Sequence, residues 1–491
     1  MPEFYFFNTL TRQQESFSPL QPNFVRIYSC GPTVYSAPTI GNLRAYIFTD
    51  ILRRSLEFTG YKVQHVINIT DVGHLISDAD EGEDKLEKTA QKSVEPDPLK
   101  IARRFEKAFL ANLTELNIKK PDYLPRASEH ISEQIALIKL LQKNGLTYEL
   151  ADGIYFDTRK FPAYGELSGQ KLEEKKVGAR VKNAAGKRQS ADFALWKFCV
   201  GIHFNHILRW DFTGQKLALT ETNFSEAEIR HRKIGFPGWH LECSAMSLKY
   251  LTPDLQAKSA QACFDIHTGG IDHIPIHHEN ERAQTEAAYQ QKFVNYWLHN
   301  EFLVVEGKKM SKSRGNLFTL NELKKRGFAT LAFRYFCLET NYRRKINFTW
   351  QALTSAAQAL TKLRAIYQAL PSDGLPLRSA LAEFTANLTE DLNLPRALAT
   401  AWKLAQAERI APEVRGATLQ KFDEVLGLNL ACPAQPLELS STVNKLLAER
   451  KAARAQRDFK RADEIRAELL KMNLAIEDTP EGPVVHRKIS A

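Results

Sequence analysis

The sequence predicts an α/β protein: a parallel-sheet domain interrupted by an insertion, then a helical bundle and a small basic tail. Three observations predict this. A strand, a loop, an amphipathic helix and a second strand follow one another over residues 24–69; alternating α/β signals return near residue 239 after a long irregular stretch; and past Asn316 the apolar residues recur with helical period. At 491 residues, and about one domain per 100 to 200 residues, three or four domains are expected.

Residues 24–30 alternate as a strand does, and after a Gly- and Pro-rich loop the run LRAYIFTDILRRSLEF puts Leu43, Ile47, Ile51, Leu52 and Leu56 on one helical face. Gly60 stands where a helix C′ residue belongs. The strand KVQHVINIT follows at once. This β-α-β unit implies a Rossmann-type parallel sheet whose ligand lies beyond the strand C-termini, at the helix N-terminus. Residues 1–124 form its first half, and the acidic run DADEGEDKLEK after Asp71 reads as solvated loop and helix without chemistry. Residues 125–232 hold short β-like pieces such as GIYFDTR, the basic run KKVGARVKNAAGKR and an aperiodic segment from Cys199, and read as an inserted domain. The sheet domain resumes over 233–292 with GWHLECSAM, CFDIHTGG and HHENERAQTEAAYQQ. Residues 293–353 connect it to a helical bundle over 354–435, signalled by ALTSAAQALTKLRAIYQAL and ALATAWKLAQA. ACPAQPLEL is a proline-containing linker, and residues 436–491 carry a basic helix or helix pair. No internal repeat is present.

Hydrophobic residues at 43% and charged residues at 25% describe a globular chain and exclude fibrous or disordered classes. The longest apolar runs are strand-length, such as Val63 to Ile69, and the N-terminus lacks the basic start and long apolar stretch of a signal peptide, so a cytoplasmic location without membrane partners is expected. Six cysteines (Cys30, Cys199, Cys243, Cys263, Cys337, Cys432) are scattered without framework spacing, which favours reduced thiols or metal ligands over disulfides. A net charge of +10 and a pI near 9.1 favour an anionic partner, with nucleic acid first.

Two constellations carry chemistry. KKMSKSRGN at 308–316 concentrates Lys308, Lys309, Lys312 and Arg314 in a glycine-flanked loop suited to closing on phosphates, although such a charge run alone equally describes a solvated surface. Far upstream, Thr39-Ile40-Gly41-Asn42 occupies the first strand-to-helix turn, where Gly41 permits close backbone approach and the helix N-terminus suits a polyphosphate. The second constellation is Cys30, Cys243, His277 and Glu281. His277 and Glu281 are four apart on an expected helix and project from one face, while Cys30 ends the first strand and Cys243 sits in another helix. Spacing alone leaves two alternatives open: buried thiols and a helix-surface polar pair, or one metal site.

The lysine loop resembles the signature loop of class I aminoacyl-tRNA synthetases, and TIGN takes the place of that class's His-Ile-Gly-His. Further, YSCGPTVYSAPTIGN, VINITDVGHL, DFALWK, GFPGWHLECSAMS, HTGGIDHIPIHHENERAQ, KKMSKSRGN and AARAQRDFKRADEIRAELL resemble the cysteinyl-tRNA synthetase family, in that family's order and over almost the whole chain. The resemblance implies one zinc ion per chain held by Cys30, Cys243, His277 and Glu281, which takes the substrate thiolate as a further ligand. Zinc prefers the soft sulfur to a serine hydroxyl, so binding alone would separate cysteine from serine without an editing domain. It also implies that Thr33, Thr70, Trp239, His267 and Asp272 surround the amino acid, although a tryptophan on a helix equally suits a core. ATP, accompanied by Mg2+, would meet Gly41, Asn42, Lys309, Ser311, Lys312 and Ser313, with Lys309, Lys312, Thr39 and Asn42 as the catalytic positions. The implied reaction forms cysteinyl-adenylate and passes the aminoacyl group to tRNA. The expected partners are cysteine-specific tRNA, L-cysteine and ATP, with a monomeric chain; the bundle and the tail would bind the tRNA, the tail at the anticodon.

The chain departs from the family pattern at three places. Thr39 stands where the family has His, which replaces a potential cationic donor with one hydroxyl. Extra residues lie between Trp196 and Trp239, mainly over 199–232, and the C-terminus ends in GPVVHRK without the expected tryptophan. Two other readings share some of these motifs: a cysteine ligase acting on an amino sugar, which lacks a long C-terminal region such as residues 351–491, and a tRNA-binding chain without catalysis.

Overall fold

The computed structural model describes residues 1–491 except 77–81, 95, 171–185, 219–223, 253–261, 312–313, 433–440, 472–473, 480–481 and 488–491. A hairpin of β1 (Tyr5–Asn8) and β2 (Gln13–Ser16) precedes β3 (Phe24–Ser29), which leads through helix α1 (Ile40–Phe58) to β4 (Lys62–Ile67). The apolar stripe of α1 expected from the sequence is buried throughout. A Schellman motif ends the helix: Gly60 at φ +100° donates to the Glu57 carbonyl and Tyr61 to that of Leu56, at 3.0 Å each.

The central sheet is parallel in the order β10-β9-β3-β4, with β9 at Phe264–Gly270 and β10 at Val294–Asn300. The chain leaves β3 toward one side and β9 toward the other, so the C-terminal ends of these neighbours bound the crevice where open α/β sheets bind ligands. Cys30 and Gly270 stand at those two ends.

The stretch expected as irregular opens with a regular helix, α4 (Ile131–Lys143), which follows α2 (Lys85–Gln91) and α3 (Pro98–Glu115). Its apolar face packs on the helices Trp239–Leu251 and Glu279–Tyr289, so it belongs to the parallel-sheet domain and not to the insertion. A separate antiparallel sheet follows: β5 (Thr147–Leu150), β6 (Gly153–Phe156), β7 (Phe193–Phe198) and β8 (Gly235–Pro237), in that spatial order. Of the basic run beginning at Lys175, residues 175–185 lie outside the described residues.

Two residues of the acidic run correct the sequence reading of a solvated segment, while residues 78–81 of that run lie outside the described residues. Asp84 and Glu87 are buried. Asp84 caps α2 by accepting from the Leu86 and Glu87 N–H groups, while Glu87 accepts the backbone N–H groups of Ile207 and Leu208 and approaches His206 Nδ1 at 3.0 Å. The segment carrying the extra residues thus docks on α2.

Four bundle helices, Trp350–Gln368, Arg378–Thr389, Leu394–Ala405 and Pro412–Leu426, follow the connecting region. Arg334 joins them to α1: fully buried, it meets Asp50 at 2.7 Å and donates to the Leu426 and Leu116 carbonyls. The linker residues 433–440 lie outside the described residues. Beyond them a helix pair, Ser441–Ala455 and Phe459–Lys471, packs around Val443, Ile465, Leu469 and Ile476, and strands Leu474–Thr479 and Gly482–Arg487 pair antiparallel. No helix among the described residues is long and apolar enough to cross a membrane.

Candidate active site and metal centre

The crevice floor begins at Cys30. Its N–H donates to the Thr268 carbonyl on the neighbouring strand, and Gly31 passes so close to Asn68 that a Cβ would sit 1.5 Å from the Asn68 carbonyl oxygen. Only glycine fits there, and its N–H donates to Asn68 Oδ1 at 2.7 Å. Cys243 arrives from the Trp239–Leu251 helix. His277 lies in a π-helical turn, Ile274–His278, that runs directly into the helix bearing Glu281, so the pair reaches one point from a widened rather than a regular helix.

The four donors converge. Cys30 Sγ and Cys243 Sγ are 4.0 Å apart, Cys30 Sγ lies 3.7 Å from Glu281 Oε1, and His277 Nε2 lies 3.0 Å from the same oxygen. One ligand atom from each residue falls within 4.8 Å of all the others. Two sulfurs at about 2.3 Å from one tetrahedral zinc would be about 3.8 Å apart, so the spacing fits a zinc ion. A second set, Cys30, His267, His278 and Glu281, meets the same distance test. It shares two members, but His267 and His278 lie beneath the cavity rather than on its wall, and the first set alone brings two thiols.

Burial and mutual contact shift the titration of all four donors. Burial pushes the Cys30 thiol well up, and Cys243 hydrogen-bonded to it adds to the rise. Burial would raise Cys243 too, but the Cys30 hydrogen bond and His277 bring it down to about 6. Burial would lower His277, yet Glu281 and Cys243 lift it to about 10. Burial would raise Glu281, but His267 and His277 hold it well below the carboxylate range. Outer partners orient these ligands: His240 Nδ1 meets His277 Nδ1 at 3.0 Å, and His267 Nε2 meets Glu281 Oε2 at 3.0 Å, leaving His277 Nε2 and Glu281 Oε1 to point at one place.

Above this floor lies a cavity of about 430 Å³. Thr33, Thr70, Trp239 and Asp272 line it together with Cys30, Cys243 and His277. His267, expected around the amino acid, does not: it is fully buried, stacked on Trp297 at 4.8 Å, and reaches the site through Glu281. Trp239 is a wall rather than core, held between the His74 ring at 4.1 Å and the His277 ring at 4.2 Å. His74 and Lys85 also face the cavity and were missed in the sequence, where His74 lies just before the acidic run and Lys85 within it, a run that drew attention by charge alone.

At the nucleotide end, Thr39 is the N-cap of α1. Its Oγ1 accepts the Asn42 N–H at 3.3 Å, and Asn42 Oδ1 accepts both the Thr39 N–H at 3.0 Å and the Thr39 hydroxyl at 2.7 Å. Thr39, Gly41, Asn42 and Lys309 line the cavity. The lysine loop is tied to this turn: Ile40 N–H donates to the Phe318 carbonyl, and Met310 covers Gly41 so closely that a Cβ there would lie 2.3 Å from its Cε. Ser311 is held within the loop by Asn316 Oδ1 and does not line the cavity. Lys312 and Ser313 lie outside the described residues.

The comparisons agree on the family. The family model for the class I (C) tRNA synthetase catalytic domain matches residues 16–210 and 225–358, and that for the cysteinyl-tRNA ligase anticodon binding domain matches 437–482. The break at 211–224 falls within the extra residues noted above. The chain is 44% identical to cysteine-tRNA ligase 1 of Burkholderia lata over 478 residues, covering 97% of this chain and 95% of that one. It is 38% identical to the cysteine-tRNA ligase of Thermus thermophilus, covering 97% and 98%. The fold is similar to the Mycobacterium tuberculosis methionyl-tRNA synthetase solved with methionyl-adenylate (TM-score 0.53, 16% identity, 82% and 90% covered). It is also similar to the Agrobacterium radiobacter LeuRS of a ternary complex with tRNA (TM-score 0.58, 12% identity, 84% and 85% covered).

Proposed function

We propose that this chain, which belongs to the cysteine-tRNA ligase family of class I aminoacyl-tRNA synthetases, selects cysteine through a zinc ion held by Cys30, Cys243, His277 and Glu281 and activates it with ATP in the cavity above them. The observation that carries this reading is the convergence of four donors beneath a cavity whose far wall carries Asn42 and Lys309. A zinc ion held by these four residues would supply a soft Lewis-acid position that prefers a thiolate to a hydroxyl. Thr33, Thr70, Trp239 and Asp272 orient the rest of the amino acid.

The carboxylate of cysteine attacks the α-phosphorus of ATP; the oxygen–phosphorus bond of a mixed anhydride forms as the bond to the pyrophosphate oxygen breaks, and the electron pair leaves with pyrophosphate. The nucleophile is already an anion, so no general base is needed, and rate comes from positioning and from charge stabilisation on the phosphates. Lys309 and Lys312 supply that charge, with Gly41 and Asn42 at the helix N-terminus, and Mg2+ accompanies ATP. A ribose hydroxyl of the terminal adenosine of tRNA then attacks the acyl carbon; the ester bond forms as the acyl–phosphate bond breaks, and AMP leaves. The bundle over 354–435 and the tail over 436–491 hold the tRNA.

Cysteine-dependent exchange of pyrophosphate into ATP tests this reading, followed by addition of tRNA. Exchange with cysteine and not serine, and charging of tRNA, support it. Exchange without tRNA charging would point to an amino-sugar ligase, and no exchange to a binding protein.

A further inference from the structure

On the side of Trp239 away from His277, three side chains form a hydrogen-bonded line into the cavity. Lys85 Nζ lies 2.7 Å from His74 Nε2, and His74 Nδ1 lies 2.7 Å from Thr33 Oγ1. All three line the cavity. A lysine ammonium can only donate, so Nε2 accepts and the single imidazole proton sits on Nδ1, which donates to Thr33. The threonine hydroxyl must then send its own proton elsewhere. Among the described residues His74 is its one hydrogen-bond partner, and the open direction is the cavity.

The backbone fixes this line. His74 and Lys85 face each other across the neck of a hairpin, where Lys85 N–H donates to the His74 carbonyl and Ile76 N–H to the Glu83 carbonyl, at 3.0 Å each. The imidazole is stacked almost parallel on Trp239, at 12°. Burial, reinforced by the Lys85 charge, keeps its pKa well below the usual value, as a neutral acceptor at Nε2 requires.

We propose that Lys85 and His74 are positioning residues that commit the Thr33 hydroxyl to donate to the carboxylate of the amino-acid substrate, at the end of the molecule opposite its thiolate. The proposal rests on the reading of this cavity as the cysteine site. Without Lys85, the imidazole is free to take the other tautomer, in which Nδ1 accepts from Thr33 and the hydroxyl proton is withdrawn from the substrate.

Pyrophosphate exchange at varied cysteine concentration tests it. Lys85→Met should raise the KM for cysteine about tenfold, the cost of one lost hydrogen bond to a charged group, while the KM for ATP, kcat and metal content stay within about twofold. Lys85→Arg, which keeps a donor, should restore most of the loss. Thr33→Val should raise the same KM, and adding Lys85→Met to it should change nothing further, because the lysine acts only through that hydroxyl. Additive effects in the double variant, or a Lys85→Met effect on kcat or on the KM for ATP, would overturn the proposal in favour of a direct phosphate interaction. If Thr33→Val does not fold, Thr33→Ser, which keeps the hydroxyl, must bind cysteine almost as the parent does and remain sensitive to Lys85→Met; an insensitive Thr33→Ser overturns the proposal. Absence of cysteine-dependent exchange in the parent protein would instead reject the reading of the cavity.

Discussion

Cys30 Sγ and Cys243 Sγ lie 4.0 Å apart, one at the end of a central strand and the other on a helix that reaches it across 213 residues of sequence. With His277 and Glu281 the pair makes the donor set proposed to hold a soft metal, and on that proposal each chain should retain about one zinc. Cys243→Ser should weaken metal retention by at least about tenfold, since even an outer partner of a metal ligand costs that much. Elemental analysis after dialysis against a chelator checks this; full zinc retention by the variant would contradict it.

Thr39 is predicted to act by shaping the turn rather than by touching ATP. Its hydroxyl and Asn42 Oδ1 satisfy each other, which leaves the Asn42 amide hydrogens for the cavity. Thr39→His discards the cap, so it should cost about 1 kcal/mol of stability and leave the rate of adenylate formation unchanged or lower. Thr39→Ser should behave as the parent. A faster Thr39→His enzyme in single-turnover assays would show that the missing imidazole is a real loss.

His206 should make stability fall as pH rises. Burial would lower its pKa, but Asp84 and Glu87 outweigh this and raise it. A histidine whose folded pKa is raised contributes stability that is full below the unfolded value of about 6.5 and is lost as pH climbs through the folded pKa. The gap in melting temperature between the parent and His206→Gln should therefore be larger near about pH 5.5 than near about pH 9. A gap independent of pH would contradict the charged pairing.

Deleting residues 436–491 should spare pyrophosphate exchange and sharply reduce tRNA charging. The deleted unit has its own small core, and its basic helix pair is only partly neutralised: Arg461 meets Glu449, Glu464 and Glu468, while Lys451, Arg457, Lys460 and Arg466 are exposed. Every cation–phosphate pairing that the truncation removes should reduce the log-log salt slope of tRNA binding by roughly 0.7 to 0.9. Full charging activity after truncation would assign tRNA selection to the bundle.

The sequence made the β-α-β unit legible because its signals are local: a strand alternation, the apolar stripe of α1 and the Gly60 stop all operate within one turn or one pleat. The metal set depended on tertiary convergence, which spacing cannot express, and became readable only through family motifs. Helix α4 was overlooked inside a stretch judged by its loops, although Ile131, Ile135, Ile138 and Leu141 follow a helical period. The acidic run misled for a related reason. Charge suggested a solvated face, whereas Asp84 and Glu87 are buried by a backbone cap and by His206, both outside that local pattern. His74 and Lys85 escaped because eleven positions separate them and a hairpin brings them together.

The central claim is that the substrate thiolate joins the two cysteine sulfurs at the metal. Cobalt substituted for zinc reports thiolate ligation by its near-ultraviolet charge-transfer absorption. Saturating cysteine should increase that absorption by about half, as two thiolates become three, while serine should leave it unchanged. An absorption unaltered by cysteine, in protein that still performs cysteine-dependent exchange, would contradict the claim.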